Sequence, residues 1–258
     1  MKQALIVVSF GTSYVETRKK TIEAVEKRMV ETFPECDVFR AFTSNMVIKR
    51  IKEKEGVKVP TVDQLMRELK DKGYTDVYVQ PLHVINGSEY SKAVHQANRY
   101  KEHFNTIKVG KPLMTEFEDY KEIVEWLKDL AQPLKEEEAI VLMGHGTQHA
   151  AFTAYACLDH MLAKEPVYVC AVESYPAIDT VVEKLKEAYI KKVFLHPFML
   201  VAGDHATNDM ASDEEGSWKS ELTKEGFDVE PILKGMGEYP KIQHMFLKHA
   251  EKIMERGN

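Results

Sequence analysis

The sequence predicts an α/β protein of two similar domains, each a small parallel sheet flanked by helices. The halves are expected to be Rossmann- or flavodoxin-like, with an active-site cleft between them. Three observations carry this expectation. Short apolar runs with little period-2 polarity alternate with longer amphipathic stretches, as parallel strands covered on both faces require. Landmark words of the first half recur, in order, in the second. Between the halves, Gln132-Pro133 and the charge run Lys135-Glu136-Glu137-Glu138 read as a solvated linker.

In chain order, strands are expected at residues 4–8, 37–41, 76–80, 106–109, 139–143, 167–171, 191–195 and 228–231, most of them rich in Val, Ile, Leu or Phe. The intervening segments have helical starts. Thr61-Val62-Asp63-Gln64 and Thr115-Glu116-Phe117-Glu118 fit the capping box, in which two side chains satisfy orphan N–H groups reciprocally. Pro176 and Pro240 suit a helix's first turn, where no N–H is needed. This alternation argues for parallel sheets built from right-handed crossovers.

The internal repeat separates one wide sheet from two small ones. Val7-Val8-Ser9-Phe10-Gly11-Thr12 matches Leu142-Met143-Gly144-His145-Gly146-Thr147, and Ala41-Phe42-Thr43-Ser44 matches Ala171-Val172-Glu173-Ser174. Gln80-Pro81-Leu82-His83 through Glu89 matches His196-Pro197-Phe198-Met199 through His205. Each match falls at the carboxyl end of an expected strand. The domains are therefore placed at residues 1–131 and 138–258, with the C-terminal helix free to pack on the first.

Composition excludes several function classes. Lys+Arg 35 against Asp+Glu 41 gives a net charge of −6, without the basic footprint of a nucleic-acid binder. Cys36, Cys157 and Cys170 are too few and scattered for a disulfide framework or a cysteine zinc site; they read as reduced, mostly buried thiols. No run approaches the ~20 apolar residues of a membrane span. The apolar run at residues 4–8 is too short for an export leader, so a cytoplasmic location is expected.

Ligands of open parallel α/β sheets bind outside the carboxyl ends of the strands. At the matched landmarks the first half offers Phe10, Thr43 and Glu89, and the second offers His145, Glu173 and His205. Two imidazoles and a carboxylate, each after a different strand, suit a borderline divalent metal with coordination positions left open. The glycines flanking His145 permit a sharp turn and close approach of a ligand. Glu173 ends a nearly apolar run, so its carboxylate must be paired, metal-bound or solvated.

The other histidines carry less. His149 fits a supporting or a loop role equally, and His160 reads as a helix-face residue. His196 could face a cleft or the core. His83 shares that ambiguity and could meet a ligand entering between the halves. His95, His103, His244 and His249 lie on polar helical segments and read as solvated. The strand-to-helix loop Ser9-Phe10-Gly11-Thr12-Ser13 lacks both the Walker ending and the three-glycine dinucleotide fingerprint. Its backbone N–H groups remain candidates for holding a carboxylate.

At these residues the sequence resembles the anaerobic, early-insertion sirohydrochlorin cobaltochelatases of cobalamin biosynthesis, class II chelatases related to ferrochelatase. The resemblance covers essentially the whole chain. It is carried by Val7-Val8-Ser9-Phe10-Gly11-Thr12-Ser13, Phe39-Arg40-Ala41-Phe42-Thr43-Ser44, Met143-Gly144-His145-Gly146, Ala154-Tyr155-Ala156-Cys157-Leu158-Asp159-His160, Val172-Glu173-Ser174-Tyr175-Pro176, and Leu200 to Ala206 with Asn208 to Asp213. It implies a chelatase-like two-domain fold, and cobalt held by His145, Glu173 and His205, with His145 also the catalytic base. It further implies Co2+ insertion into sirohydrochlorin or precorrin-2 with loss of two pyrrole protons. No cofactor is expected beyond the substrate metal, although the donor set also accepts Ni2+, Zn2+ or Fe2+. The expected partners are the tetrapyrrole and the metal, with neither nucleic acid nor membrane; self-association is compatible with this reading. The same residues would also serve a non-catalytic tetrapyrrole or metal carrier, which turnover distinguishes.

Overall fold

The computed structural model describes residues 2–255. The chain divides into two compact units, Met1–Thr115 with Gly237–Asn258, and Glu116–Met236. In the first unit, β1 (Gln3–Ser9), β2 (Cys36–Phe42), β3 (Asp76–Pro81) and β4 (Thr106–Val109) form a parallel sheet of order β2-β1-β3-β4. In the second, β5 (Glu138–Gly144), β6 (Val167–Ala171), β7 (Lys192–Pro197) and β8 (Asp228–Pro231) repeat it as β6-β5-β7-β8, again parallel. The two sheets share one topology, as the repeated words required, and all eight expected strands are present.

Burial follows strand position. The central strands β1, β3 and β5 are buried almost throughout, whereas β4 and β8, each at one edge of its sheet, are the least covered. This explains why Asp228–Pro231 carries charge at alternate positions: a strand with one open edge need not be apolar on both faces. In the first unit, Ala4, Ile6 and Val8 pack with Val77 and Val79 against Val62, Leu65, Met66 and Leu69 of helix Val62–Asp71. In the second, Val141, Met143, Val193 and Leu195 pack with Val181 and Leu185 of helix Ile178–Glu187, with Trp218 and Leu222 closing the cluster. Each fully buried aliphatic side chain contributes about 1.5–3 kcal/mol.

Two of the expected helix starts form as read and two differ. The Thr61 capping box forms with Gln64, and Pro240 occupies the first turn of helix Pro240–Met254. At Phe117–Ala131, however, the cap is Glu116 and its reciprocal partner is Asp119, whose carboxylate accepts the Glu116 N–H at 2.8 Å. A carboxylate cap replaces the expected Thr115, and the helix starts one residue later than a Thr115 cap would place it. Pro176 lies before helix Ile178–Glu187 and follows a cis peptide bond at Tyr175-Pro176.

The division between units also falls elsewhere than at residues 131–138. Helix Phe117–Ala131 belongs to the second unit, where Trp126 meets the buried His196 ring edge-on at 6.5 Å. Helix Pro240–Met254 belongs to the first unit, burying Ile242, Met245, Phe246, Leu247 and Ala250. There Arg28 of helix Ile22–Thr32 donates to the Pro240 carbonyl at 3.1 Å. Both helices bury wide apolar faces, and the charged run between residues 135 and 138 marks only a turn into β5.

Candidate metal centre

Three neighbouring strand ends of the second sheet build the site. The β5 strand ends at Gly144 and delivers His145, β6 runs on to Glu173, and β7 leads through a loop to His205. Hydrogen bonding continues past the strand ends: Val172 N–H donates to the Gly144 carbonyl and Glu173 N–H to the His145 carbonyl, both at 3.0 Å. The backbones beneath the first imidazole and the carboxylate are thereby fixed. The loop after β7 is tied by the Met236 N–H bond to the Met199 carbonyl at 2.9 Å.

The His145 turn is shaped by its two glycines. A Cβ on Gly144 would stand 2.4 Å from the Tyr155 ring, so the residue lets that ring seal the floor. Gly146 has φ +84, and a Cβ there would stand 2.8–2.9 Å from Ser174 Oγ and the Glu173 and Ser174 nitrogens. Only glycine meets both demands cheaply. Thr147 N–H donates to Ser174 Oγ at 3.2 Å, Gln148 Nε2 donates to the Glu173 carbonyl at 2.9 Å, and Gly146 N–H reaches the Tyr155 hydroxyl at 3.4 Å. Burial pushes the Tyr155 phenol up to about 12, so it stays protonated and uncharged beneath the site.

One ligand atom from each of His145, Glu173 and His205 lies within 4.8 Å of the other two, the only such grouping of three or more His, Cys, Asp or Glu among the described residues. The two imidazoles meet edge-to-face, with centroids 4.7 Å apart at 86°. The Gly146 carbonyl accepts from His145 Nδ1 at 3.1 Å, which leaves Nε2 as the lone-pair nitrogen. Glu173 Oε2 lies 3.7 Å from the same Nδ1, with both side chains roughly half exposed. An ion pair so open to water contributes little stability. The set is accessible, incomplete as a coordination shell, and mixed in charge, which suits a metal that must arrive and leave.

The signal missed in the sequence is Asp209. His205 opens the widened turn Ala206–Met210, and Asp209 Oδ2 lies 2.5 Å from His205 Nδ1. A carboxylate on a ring N–H orients a ligating imidazole and fixes its tautomer. The i,i+4 spacing of the pair could have revealed it. Asp204 does not cap this turn; its carboxylate accepts from the Asn208 amide at 3.2 Å, while Gly203 supplies the carbonyl for the Thr207 N–H.

The remaining histidines separate by environment. His149 Nδ1 accepts the Ala151 N–H at 3.2 Å and shapes a turn. His196 is fully buried, bonds the Pro197 carbonyl at 3.0 Å, and is depressed to about 4 by burial. His249, expected to be solvated, is buried in its helix. Cys157 is exposed, whereas Cys36 and Cys170 are buried. No described helix is long and apolar enough to cross a membrane.

Paired four-stranded parallel sheets of one topology, with an open two-histidine, one-glutamate cluster at the carboxyl rim of the second, define a chelatase-type metal-handling protein. Solved structures share the fold. SirB from Bacillus subtilis with Fe3+ superposes with TM-score 0.63 at 18% identity, over 98% of this chain and 96% of that one. CbiX, described as the terminal enzyme of siroheme biosynthesis in denitrifying bacteria, gives 0.59 at 16% identity, over 99% and 100%. The cobalt chelatase (CbiK) family model matches residues 3–255, and the chain belongs to that family. It is 43% identical to the sirohydrochlorin cobaltochelatase of Salmonella typhimurium, over 98% of this chain and 97% of that protein. It is 32% identical to the sirohydrochlorin cobaltochelatase CbiKC of Nitratidesulfovibrio vulgaris, over 96% and 89%.

Proposed function

We propose that this protein inserts Co2+ into sirohydrochlorin or its precursor precorrin-2, in anaerobic cobalamin synthesis. The observation that carries the reading is the convergence of His145, Glu173 and His205 on one strand rim, in a chain 43% identical to a sirohydrochlorin cobaltochelatase. Insertion exchanges Co2+ for two pyrrole protons. The metal is substrate, and the reaction needs neither electron transfer nor a resident cofactor.

The residues divide the work. His205, oriented by Asp209, and Glu173 hold the incoming ion and replace part of its water shell. The Glu173 carboxylate offsets the ion's charge. His145 contributes Nε2, because Nδ1 is engaged by the Gly146 carbonyl. As macrocycle nitrogens take over the metal, that same lone pair becomes free to accept a pyrrole proton. Half-exposed side chains allow ligand exchange and proton loss to solvent, which a closed tetrahedral cage would oppose.

The test is a spectrophotometric insertion assay with catalytic protein and excess sirohydrochlorin and Co2+, repeated with precorrin-2 and with Ni2+, Zn2+ and Fe2+. Many product molecules per protein are expected. Conversion that stops at one equivalent identifies a carrier and overturns the enzymatic reading.

A further inference from the structure

Buried polar side-chain atoms without a hydrogen-bond partner gather at one place in the first unit. They are Ser9 Oγ, Thr43 Oγ1 and both ring nitrogens of His83; Glu89 Oε2, beside them, lacks a hydrogen bond but pairs with Lys92 Nζ at 3.8 Å. Ser9 ends β1, Thr43 follows β2, His83 follows β3, and Glu89 lies in the first turn of the next helix, Ser88–Asn98. All therefore belong to the carboxyl rim of the first sheet. Ser9 and Thr43 are each only 1% exposed. His83 as a residue is partly exposed, yet neither ring nitrogen reaches the surface. Each unpaired buried group of this kind costs about 1–3 kcal/mol, and four such atoms on one rim are not an accident of packing.

Their chemistry restricts the ligand. Burial depresses His83 to about 4, so at neutral pH the ring offers one donor and one acceptor. The two hydroxyls can play either part, and the Glu89 carboxylate only accepts. A simple anion would leave the imidazole lone pair unmet. A bare cation would leave the imidazole N–H unmet. The rim fits a molecule that carries N–H donors and oxygen acceptors together. Phe10 and Tyr14, 42% and 40% exposed after β1, add apolar surface suited to a flat ring.

Resting on the chelatase reading, we propose that His83 is a substrate-positioning residue that hydrogen-bonds the tetrapyrrole, with the Ser9 and Thr43 hydroxyls completing the polar contact. It takes no part in holding cobalt.

The experiment compares the intact chain with His83→Leu and His83→Gln, titrating sirohydrochlorin without metal by absorbance and Co2+ without tetrapyrrole by calorimetry. Losing one buried hydrogen bond raises the tetrapyrrole Kd, and the KM for tetrapyrrole, about tenfold in His83→Leu. His83→Gln, which keeps a donor and an acceptor, restores most of the loss. Co2+ affinity and kcat stay within about twofold. Unchanged tetrapyrrole binding by a folded His83→Leu protein overturns the proposal. Equal weakening in both variants together with lost Co2+ affinity also overturns it, since that marks a structural role. A parent chain that does not bind tetrapyrrole overturns it as well. Binding without turnover discredits only the chelatase reading.

Discussion

His205 Nδ1 lies 2.5 Å from Asp209 Oδ2, one helical turn away, so one of the three candidate metal ligands is oriented by a carboxylate of its own element. Asp209→Asn keeps the shape but replaces the anionic acceptor with a neutral amide. Co2+ affinity is expected to fall about 10–100-fold, with sirohydrochlorin binding unchanged. Calorimetric titration of the purified variant with Co2+ checks this; a loss below about twofold would remove Asp209 from the site.

The three ligands should fail in different ways. His145→Ala is expected to abolish insertion while leaving the circular dichroism spectrum intact, because it removes both a ligand and the proposed proton acceptor. Glu173→Ala and His205→Ala should raise the KM for Co2+ more than that for the tetrapyrrole. Parallel steady-state measurements in each substrate separate these outcomes, and equal activity in all three variants would discredit the centre.

Gly146→Ala tests the turn itself. The new Cβ meets Ser174 Oγ and two backbone nitrogens at 2.8–2.9 Å in a φ +84 conformation, a strain of about 1–3 kcal/mol. Much of the damage falls on the alignment of His145 with Glu173. Insertion activity should drop more than tenfold with only a modest fall in melting temperature. Activity within about twofold of the parent would show that the turn tolerates displacement.

His196 predicts an acid sensitivity that does not depend on the candidate metal ligands. Its folded pKa is depressed to about 4 by burial, against about 6.5 unfolded. Between these values the unfolded chain binds the extra proton, so stability falls as pH drops from about 6.5 towards 4. The neutral ring's contribution is complete above that window. His196→Gln should flatten this part of the denaturation profile followed by tryptophan fluorescence; an unchanged slope would assign the acid sensitivity to other groups.

The architecture was largely legible because parallel strands covered by helices must be apolar on both faces, and residues such as Leu5, Ile6, Val141 and Leu142 satisfy that locally. The trio was legible because His145, Glu173 and His205 replace uncharged or differently charged residues in a repeated frame. What escaped depends on tertiary packing. Nothing near Pro240 says against which unit its helix will bury Ile242 and Phe246, and nothing local distinguishes the buried His249 from a solvated one. The cap moved from Thr115 to Glu116 because two boxes overlap, Thr115 with Glu118 and Glu116 with Asp119, and the local sequence does not choose between them. Asp209 was hidden because its value comes from the turn, not from a motif.

The order β6-β5-β7 places the three ligand-bearing segments after adjacent strands, whose separation of about 4.8 Å is a property of every hydrogen-bonded sheet. The spacing of the candidate ligands is thus gauged by the main chain and only tipped with imidazole and carboxyl. Because β2-β1-β3 supplies the same gauge, grafting Phe10→His, Thr43→Glu and Glu89→His would transplant the donors without redesigning a backbone. The chain holds two frames of one topology, and a few rim side chains distinguish the one that carries the candidate metal ligands.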